Sequence, residues 1–213
     1  MKTFKKLAVA AALSVTLPAF ADVIFLDFEG IGNQMPVGDF YNGGGGPNYG
    51  VSFSDATLAI IDADAGGTGN IANEPSPDTV MFFLDANNAI LNALNGFDTG
   101  FSFYYSSAFA ATVTVWDGLD GTGNLLGSID LDAQYNIGCS GDPNGQYCNW
   151  TPIGVAFAGT AMSINFGGTA NYTAYDNITF GADVPVIPEP SSYALMALGL
   201  AGIGLATRRR RNT

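Results

Sequence analysis

Apolar residues in the middle of this chain come in short runs at alternate positions, and this periodicity limits the folds available to it. Thr112–Trp116 and Met162–Phe166 both alternate polar and apolar side chains. Successive side chains of a strand point to opposite faces, so such segments predict sheets with one buried face. Turn-forming pairs such as Gly167-Gly168 separate the runs.

Ten segments read as strands in this way, and no amphipathic run is long enough for a major helix. They are Val23–Phe28, Val51–Ser54, Thr57–Ile61, Thr79–Leu84, Gly100–Tyr105, Ala111–Trp116, Leu125–Asp130, Ile153–Ala158, Met162–Phe166 and Tyr172–Phe180. Ala86–Leu94 is ambiguous and is compatible with a short helical turn. The pattern predicts an all-β fold, a β-sandwich.

The start of the chain has the pattern of a secretory signal. Three lysines within the first six residues precede an apolar stretch, Leu7–Leu17. Ala19 and Ala21 then give the small-x-small spacing of a signal-peptidase site. The sequence therefore predicts a signal peptide, residues 1–21, which signal peptidase removes during export, so that the exported chain begins at Asp22.

The end of the chain combines a short motif, an apolar run and a basic cluster. These are Pro188, Glu189 and Pro190; Tyr193–Ala206; and Arg208, Arg209, Arg210 and Arg211. The run is shorter than the roughly 20 residues that span a bilayer comfortably. Arginines resist translocation and remain on the cytoplasmic side. We therefore expect a transient inner-membrane anchor.

This order of parts resembles the PEP-CTERM sorting signal of exported proteins in Gram-negative bacteria that make exopolysaccharide. The resemblance implies that exosortase, a membrane enzyme, cuts at or near Pro188–Pro190 and sends the protein to the cell surface or extracellular matrix. The chain then divides into a signal peptide (1–21), a folded domain (22–181), a linker (182–187) and a sorting tail (188–213). An ordinary C-terminal anchor that happens to follow Pro-Glu-Pro is the alternative.

The region between the two targeting segments contains no basic side chain. All seven Lys and Arg lie in those segments, the chain has no His, and 19 Asp and Glu are present, of which only Glu189 lies outside residues 22–187. The region therefore carries about −18 at neutral pH. Nucleic acid and anionic membranes would be repelled. Catalysis by His, Lys or Arg is excluded, which argues against an enzyme.

Cys139 and Cys148 enclose eight residues rich in turn formers. An exported protein meets an oxidising compartment, so we expect a disulfide that closes this loop. It would stabilise the fold by about 2–3 kcal/mol, chiefly by restricting the unfolded loop.

Two short motifs connect the start and end of the domain. Asp27-Phe28-Glu29 and Tyr175-Asp176-Asn177-Ile178 resemble the opening and closing strands of galactose-binding-like jelly rolls, the fold of many carbohydrate-binding modules. The resemblance implies a jelly-roll-like sandwich in which Glu29 and Asp176, with Asp27 as a further candidate, hold a structural Ca²⁺. Alternation would place Asp27 with Glu29 on one face of a strand, and Asp176 with Ile178 on one face of another. The alternative is that these carboxylates accept backbone hydrogen bonds at strand ends.

These observations favour a non-catalytic, extracellular protein that binds polysaccharide. Sugars stack on exposed rings, and Tyr135, Tyr147 and Trp150 surround the cysteine loop, which makes them the candidate ligand-binding residues. Trp116 ends an alternating strand and is expected to fill the core. Two alternatives remain: an acidic structural protein of a coat or biofilm matrix without a discrete ligand, and a glycoside hydrolase or lyase that uses two carboxylates.

Overall fold

The computed structural model describes residues 23–139 and 145–182. The predicted signal peptide, nearly all of the linker and the sorting tail lie outside the described residues, so the predicted domain boundaries there stay predictions. None of the described residues belongs to a helix with the length and apolar character needed to cross a membrane.

The described residues form eleven strands, which confirms the all-β prediction. The strands are β1 Phe25–Leu26, β2 Val51–Phe53, β3 Thr57–Ile61, β4 Thr79–Phe83, β5 Asn88–Phe97, β6 Gly100–Ser107, β7 Ala111–Trp116, β8 Leu125–Leu131, β9 Thr151–Ala156, β10 Ala161–Gly167 and β11 Thr173–Phe180. A short 3₁₀ turn, Leu119–Gly121, lies between β7 and β8.

The strands pair into two antiparallel sheets. One sheet has five strands in the order β2-β5-β10-β7-β8. The other has six, in the order β3-β4-β11-β6-β9, with the short β1 beside the second half of β11. Consecutive strands repeatedly cross from one sheet to the other, which is the jelly-roll-like arrangement expected.

Aromatic rings fill the space between the sheets. The ring of Phe103 lies 5.4 Å from that of Phe101 and 5.6 Å from those of Phe166 and Tyr175, all centroid to centroid. These four side chains come from β6, β10 and β11 and are fully or almost fully buried. The Phe101–Phe103 pair is stacked and the other two pairs are edge-to-face, and both kinds of packing add to the hydrophobic burial that holds the two sheets together.

A second, smaller apolar cluster covers part of the outer face of the six-stranded sheet. Its buried members are Ile71, Val80, Phe82, Tyr147 and Ala174. Because this layer lies over β4 and β11, every residue of these two strands is buried. The six-stranded sheet is therefore covered on both faces where the clusters lie.

The ambiguous segment Ala86–Leu94 is a strand and not a helical turn. Within β5, Ala89, Leu91 and Ala93 are buried in the core, whereas Asn88 and Asn92 are only partly buried. This is a period of two. Ala, Leu and Asn have no strong strand preference, so pairing with β2 and β10 decides the conformation.

Both predictions about shared strand faces are wrong. The first strand ends at Leu26, and Phe28 has φ 61°, so Asp27 and Glu29 do not alternate along a strand. In β11 a bulge follows Asp176, and Asn177 has φ 51°. The inserted residue puts Tyr175 and Ile178, three positions apart, in the same core. Asp176 therefore does not share a face with Ile178.

The bulge predicts a specific pattern of stability at position 177. Asn177→Val forces a β-branched residue into a positive φ and should lower the free energy of unfolding by about 1–3 kcal/mol. Asn177→Gly accepts the same φ and should stay within about 1 kcal/mol of the native chain. Urea unfolding of the three proteins measures both values. Equal stability of the Val and Gly variants would show that the left-handed backbone is not required.

Candidate functional site

The pairing of β1 with β11 brings the three predicted metal ligands into one region. Phe25 and Leu26 pair with Thr179 and Ile178, so the residues that follow β1 lie close to the middle of β11. Asp27 and Glu29 are contributed by the turn after β1, and Asp176 by β11 itself. Ser76, in the segment before β4, and Thr79, the first residue of β4, complete the group.

Asp176 is the most buried carboxylate of the group, with no exposed surface. Its Oδ2 accepts hydrogen bonds from the backbone N–H of Ser76 at 2.9 Å and from Ser76 Oγ at 2.8 Å. Its Oδ1 accepts one from the N–H of Asn177 at 2.7 Å. Burial raises the pKa of Asp176 to about 8 in spite of these donors, and the nearby charge of Glu29 acts in the same direction.

The hydroxyl of Ser76 lies among more acceptors than it can serve. Its Oγ is 2.8 Å from Asp176 Oδ2, 3.1 Å from the carbonyl oxygen of Asp27 and 3.2 Å from that of Thr79. A serine hydroxyl has one proton to donate. Three acceptors therefore converge on one donor, so this buried position has more hydrogen-bond acceptors than donors. A proton on Asp176 or a bound cation would relieve the excess.

Glu29 and Asp27 fix the neighbouring loops. Glu29 Oε1 accepts hydrogen bonds from the N–H groups of Asp78 and Thr79 at 3.0 and 2.8 Å, and its Oε2 accepts one from Thr79 Oγ1 at 3.1 Å. Asp27 Oδ1 accepts one from the N–H of Glu29 at 3.2 Å. These contacts agree with the alternative to a metal site, in which the carboxylates accept hydrogen bonds from backbone N–H groups.

Within residues 23–139 and 145–182, no three acidic, His or Cys side chains have the arrangement of a metal centre. Carboxylate and carbonyl oxygens are nevertheless the ligands that Ca²⁺ takes in proteins. The calcium site stays a prediction, and the oxygen-rich surroundings of Ser76 are the place to test it.

The three predicted sugar-binding rings pack against the second apolar cluster. Tyr147 is only 7% exposed, and burial raises its pKa to about 12. Tyr135 lies 5.0 Å from Tyr147, ring to ring, and the indole N–H of Trp150 donates to the carbonyl of Ala72 at 3.0 Å. Packing accounts for these contacts, and the sugar-binding role of the three rings stays a prediction.

The predicted disulfide between Cys139 and Cys148 is present, with the Cα atoms 5.5 Å apart. The N–H groups of Cys148 and Asn149 both donate to the carbonyl of Tyr135, at 2.9 and 3.0 Å. The cross-link and these hydrogen bonds join the segment that carries Tyr135 to the segment that leads into β9.

The described residues include an exposed pair of rings that no sequence pattern predicted. Phe109 and Tyr172 are 49% and 46% exposed, and their centroids lie 5.3 Å apart at an angle of 78°. A hydrogen bond from the N–H of Ala108 to the carbonyl of Tyr172 ties the two loops together at 2.9 Å. Phe109 stands between two alanines outside the strands, a context that gave no periodic signal.

Trp116 does not fill the core, contrary to expectation. It belongs to neither apolar cluster, is partly exposed, and its indole N–H donates to Thr114 Oγ1 at 2.9 Å. Its neighbour Val115 faces the core, so Trp116 lies on the outer face of the five-stranded sheet. The period of two groups Trp116 with Thr112 and Thr114 and opposite Val113 and Val115, so the expected core position departed from the alternation of its own strand.

Comparison with known proteins identifies the C-terminal segment. Residues 186–211 match the family model of the PEP-CTERM protein-sorting motif. The predicted sorting signal is thereby confirmed, and it is the signal of an exported protein with a C-terminal membrane-anchoring segment. No curated protein matches the sequence.

Several solved structures resemble the sandwich loosely. A family 6 carbohydrate-binding module is 13% identical, with 74% of this chain and 92% of that chain covered and a TM-score of 0.40. The K1 cleaved adhesin domain of Lys-gingipain from Porphyromonas gingivalis is 14% identical over 76% and 99%, with a TM-score of 0.46. The module CBM6cm-2 of Cellvibrio mixtus lichenase 5A, solved with cellotriose, is 16% identical over 60% and 87%, with a TM-score of 0.34. Because these TM-scores are all below 0.5, the assignment of the fold as a sandwich is based on the observed strand pairings and not on these similarities.

The raised pKa of Asp176 predicts how stability depends on pH in the presence of a chelator. Between the unfolded value of about 3.9 and the folded value of about 8, the folded chain binds more protons than the unfolded chain. The free energy of unfolding should therefore fall as pH rises through this range, and Asp176→Asn should lessen the fall.

The control is Asp85→Asn, which removes one exposed carboxylate. The free energy of unfolding of this variant should fall with pH almost as steeply as that of the native chain. Urea unfolding at several pH values measures the three slopes. Identical slopes for the native chain and Asp176→Asn would contradict the burial argument.

Proposed function

We propose that this exported, non-catalytic protein is sorted by exosortase to the cell surface or exopolysaccharide matrix of a Gram-negative bacterium and binds polysaccharide there. The observation that carries the binding proposal is the exposed Phe109–Tyr172 pair at one end of the sandwich. The sorting motif in residues 186–211 supports the matrix as the destination.

The ring pair suits a sugar because it is both exposed and held in place. Exposed rings offer flat apolar surfaces on which the C–H faces of sugars stack. The backbone bond between Ala108 and Tyr172 fixes the two loops, and Ser107 Oγ donates to the carbonyl of Phe109 at 2.7 Å. A preformed surface loses little freedom when a ligand binds. Ala108, which precedes Phe109, and Tyr135 both pack against the second apolar cluster.

Calcium is the second part of the proposal. Asp176 Oδ2 and the carbonyl oxygens of Asp27 and Thr79 surround Ser76 Oγ, and Glu29 accepts a hydrogen bond from the N–H of Thr79 at the start of β4. In a domain without Lys, Arg or His, a divalent cation is the natural partner for oxygens that are withdrawn from water. Its role would be structural, because it would join β1, β11 and the loop before β4.

An acidic structural protein without a discrete ligand is the competing function. The charge of about −18 supports it, because Ca²⁺ could bridge carboxylates of neighbouring molecules. Calcium-dependent self-association without retention on any polysaccharide would favour this alternative.

Removal of the exposed rings tests the binding proposal. Phe109→Ala and Tyr172→Ala should each weaken retention on a polysaccharide panel by at least tenfold, because each removes a stacking surface. Affinity electrophoresis of the full-length chain in gels that contain each soluble polymer measures retention. The matched control is Tyr49→Ala, which removes a ring that is 37% exposed elsewhere on the domain. Unchanged retention of both variants would exclude the ring pair as the binding surface.

Calcium is tested by thermal unfolding. If the oxygen-rich site around Ser76 binds Ca²⁺, the native chain should unfold at a temperature several degrees higher with Ca²⁺ than with a chelator. The reason is that a ligand that binds only the native state stabilises it by mass action. Asp176→Asn should abolish the rise, whereas Asp85→Asn should keep it. A native chain that unfolds at the same temperature with Ca²⁺ and with chelator would remove calcium from the proposal.

A further inference from the structure

A cleft lies at the end of the sandwich where the chain enters and leaves the domain. Its volume is about 340 Å³, at the lower end of the roughly 300–1,000 Å³ that ligand pockets occupy. Ile24 precedes β1, Phe97 ends β5 and Phe180 ends β11, so segments that are far apart in the sequence form it. We call it the exit cleft, and its lining includes Ile24, Asn95, Phe97, Asp98, Thr160 and Phe180.

The apolar part of the exit cleft belongs to the core of the domain. The rings of Phe97 and Phe180 stack with their centroids 4.4 Å apart, and the two residues are 9% and 3% exposed. Ile24 is half-buried and packs against the same core. The polar residues of the lining are exposed. The cleft thus combines an apolar surface held by core packing with a polar rim, which suits a few apolar side chains.

The chain leaves the domain at the wall of this cleft. Gly181 is part of the lining, and its N–H donates to the carbonyl of Gly100 at 3.0 Å. The φ of Gly181 is 81°, so the chain changes direction there. Residues 183–187 lie outside the described residues, but Val184 follows Gly181 by only three positions, a reach of at most about 10 Å. A segment tethered so closely has a high effective concentration at the cleft.

The composition of the predicted linker is unusual for a connection that lies in water. Flexible linkers are rich in Gly and Ser or in charge. Pro185 has no backbone N–H to leave unpaired, and the residues before Pro185 and Pro188 favour extended backbone. Burial of such a segment strands few hydrogen-bond donors. Its one charge is on Asp183, and its apolar residues are Ala182, Val184, Pro185, Val186 and Ile187.

The charge of the exit cleft is compatible with this uncharged segment. Among the described residues that line the cleft, only Asp98 carries a charge, and it is exposed at the rim. An anionic ligand would meet this carboxylate in a domain without side-chain cations, which opposes its binding. Residues 184–187 carry no charge and meet no such repulsion.

We propose that the exit cleft binds the apolar part of the linker, residues 184–187, of the same chain. The side chains of Val184, Val186 and Ile187 would cover the apolar surface that the cleft presents to water. Docking would hold Pro188 next to the end of β11, whereas a free linker would let it lie up to about 20 Å away. The sorting motif would then begin at a fixed place on the domain. Such docking requires neither the Phe109–Tyr172 pair nor calcium.

Site-specific photo-crosslinking of the full-length chain in detergent tests the docking. A photo-reactive residue replaces Asp98 at the rim, and mass spectrometry identifies the crosslinked peptides. We expect crosslinks to residues 184–187 of the same chain. The combined changes Val184→Ser, Val186→Ser and Ile187→Ser should lower their yield at least fivefold, because the docked side chains lose their apolar surface. These changes alter none of the residues that form the described domain.

The matched control replaces the same three linker residues by Leu, which keeps their apolar character and should keep the native yield. On the cleft side, Thr160→Trp puts a bulky ring at the rim and should also lower the yield at least fivefold. Ser128→Trp puts the same ring at an exposed position of β8 and should not.

Three outcomes would overturn the proposal. A native yield in the Ser variant would mean that the tether alone brings the linker near position 98. Crosslinks that join two chains would assign the cleft to the linker of a second copy. Crosslinks that never include residues 184–187 would show that the linker does not enter the cleft.

Discussion

The absence of cationic side chains from residues 22–187 is the constraint on which the rest of the domain depends. A carboxylate that leaves water cannot find an ion-pair partner there, so it needs N–H groups, hydroxyls or a metal ion. Asp176 is the extreme case, and Ser76 serves it with both its backbone and its hydroxyl. Glu29 binds the N–H groups of Asp78 and Thr79 in the same way. The start of the domain, the loop before β4 and the last strand are thus joined by carboxylate–backbone bonds.

Much of the fold could be predicted because the strands alternate clearly. Thr57–Ile61 and Ala111–Trp116 have the predicted limits, and the other predicted strands differ by one or two residues at an end. The incorrect predictions share one cause: contacts between residues that are far apart in the sequence decide the structure there. β5 is a strand because β2 and β10 flank it, and its own Ala and Asn residues do not favour that state. The bulge at Asn177 inverts the alternation of β11, and Asn tolerates a left-handed backbone but also occurs in regular strands such as β5 and β10.

The candidate sites show the same limit. The grouping of Asp27, Glu29 and Asp176 was implied by the resemblance to galactose-binding-like jelly rolls, and the pairing of β1 with β11 brings the three residues into one region. Ser76, which donates to Asp176 from a hundred residues away in sequence, could not. Alternation also says which face a ring occupies relative to its neighbours, but not whether another layer covers that face. The sequence therefore could not reveal that Tyr147 is buried under a second cluster, or that Trp116 and Phe109 reach solvent.

The arrangement of the domain relates sorting to binding. Phe180 donates its N–H to Ile24 at 2.9 Å, so the chain enters and leaves the sandwich at the same end. Tyr172 precedes β11 at the opposite end, and eight strand residues separate the two ends by about 25 Å. The predicted linker, residues 182–187, reaches at most about 20 Å when fully extended. The proposed cleavage near Pro188 would therefore lie within about 20 Å of the end of β11. The proposed binding rings lie farther than that from the end of β11, so the two proposed activities would use different parts of the domain.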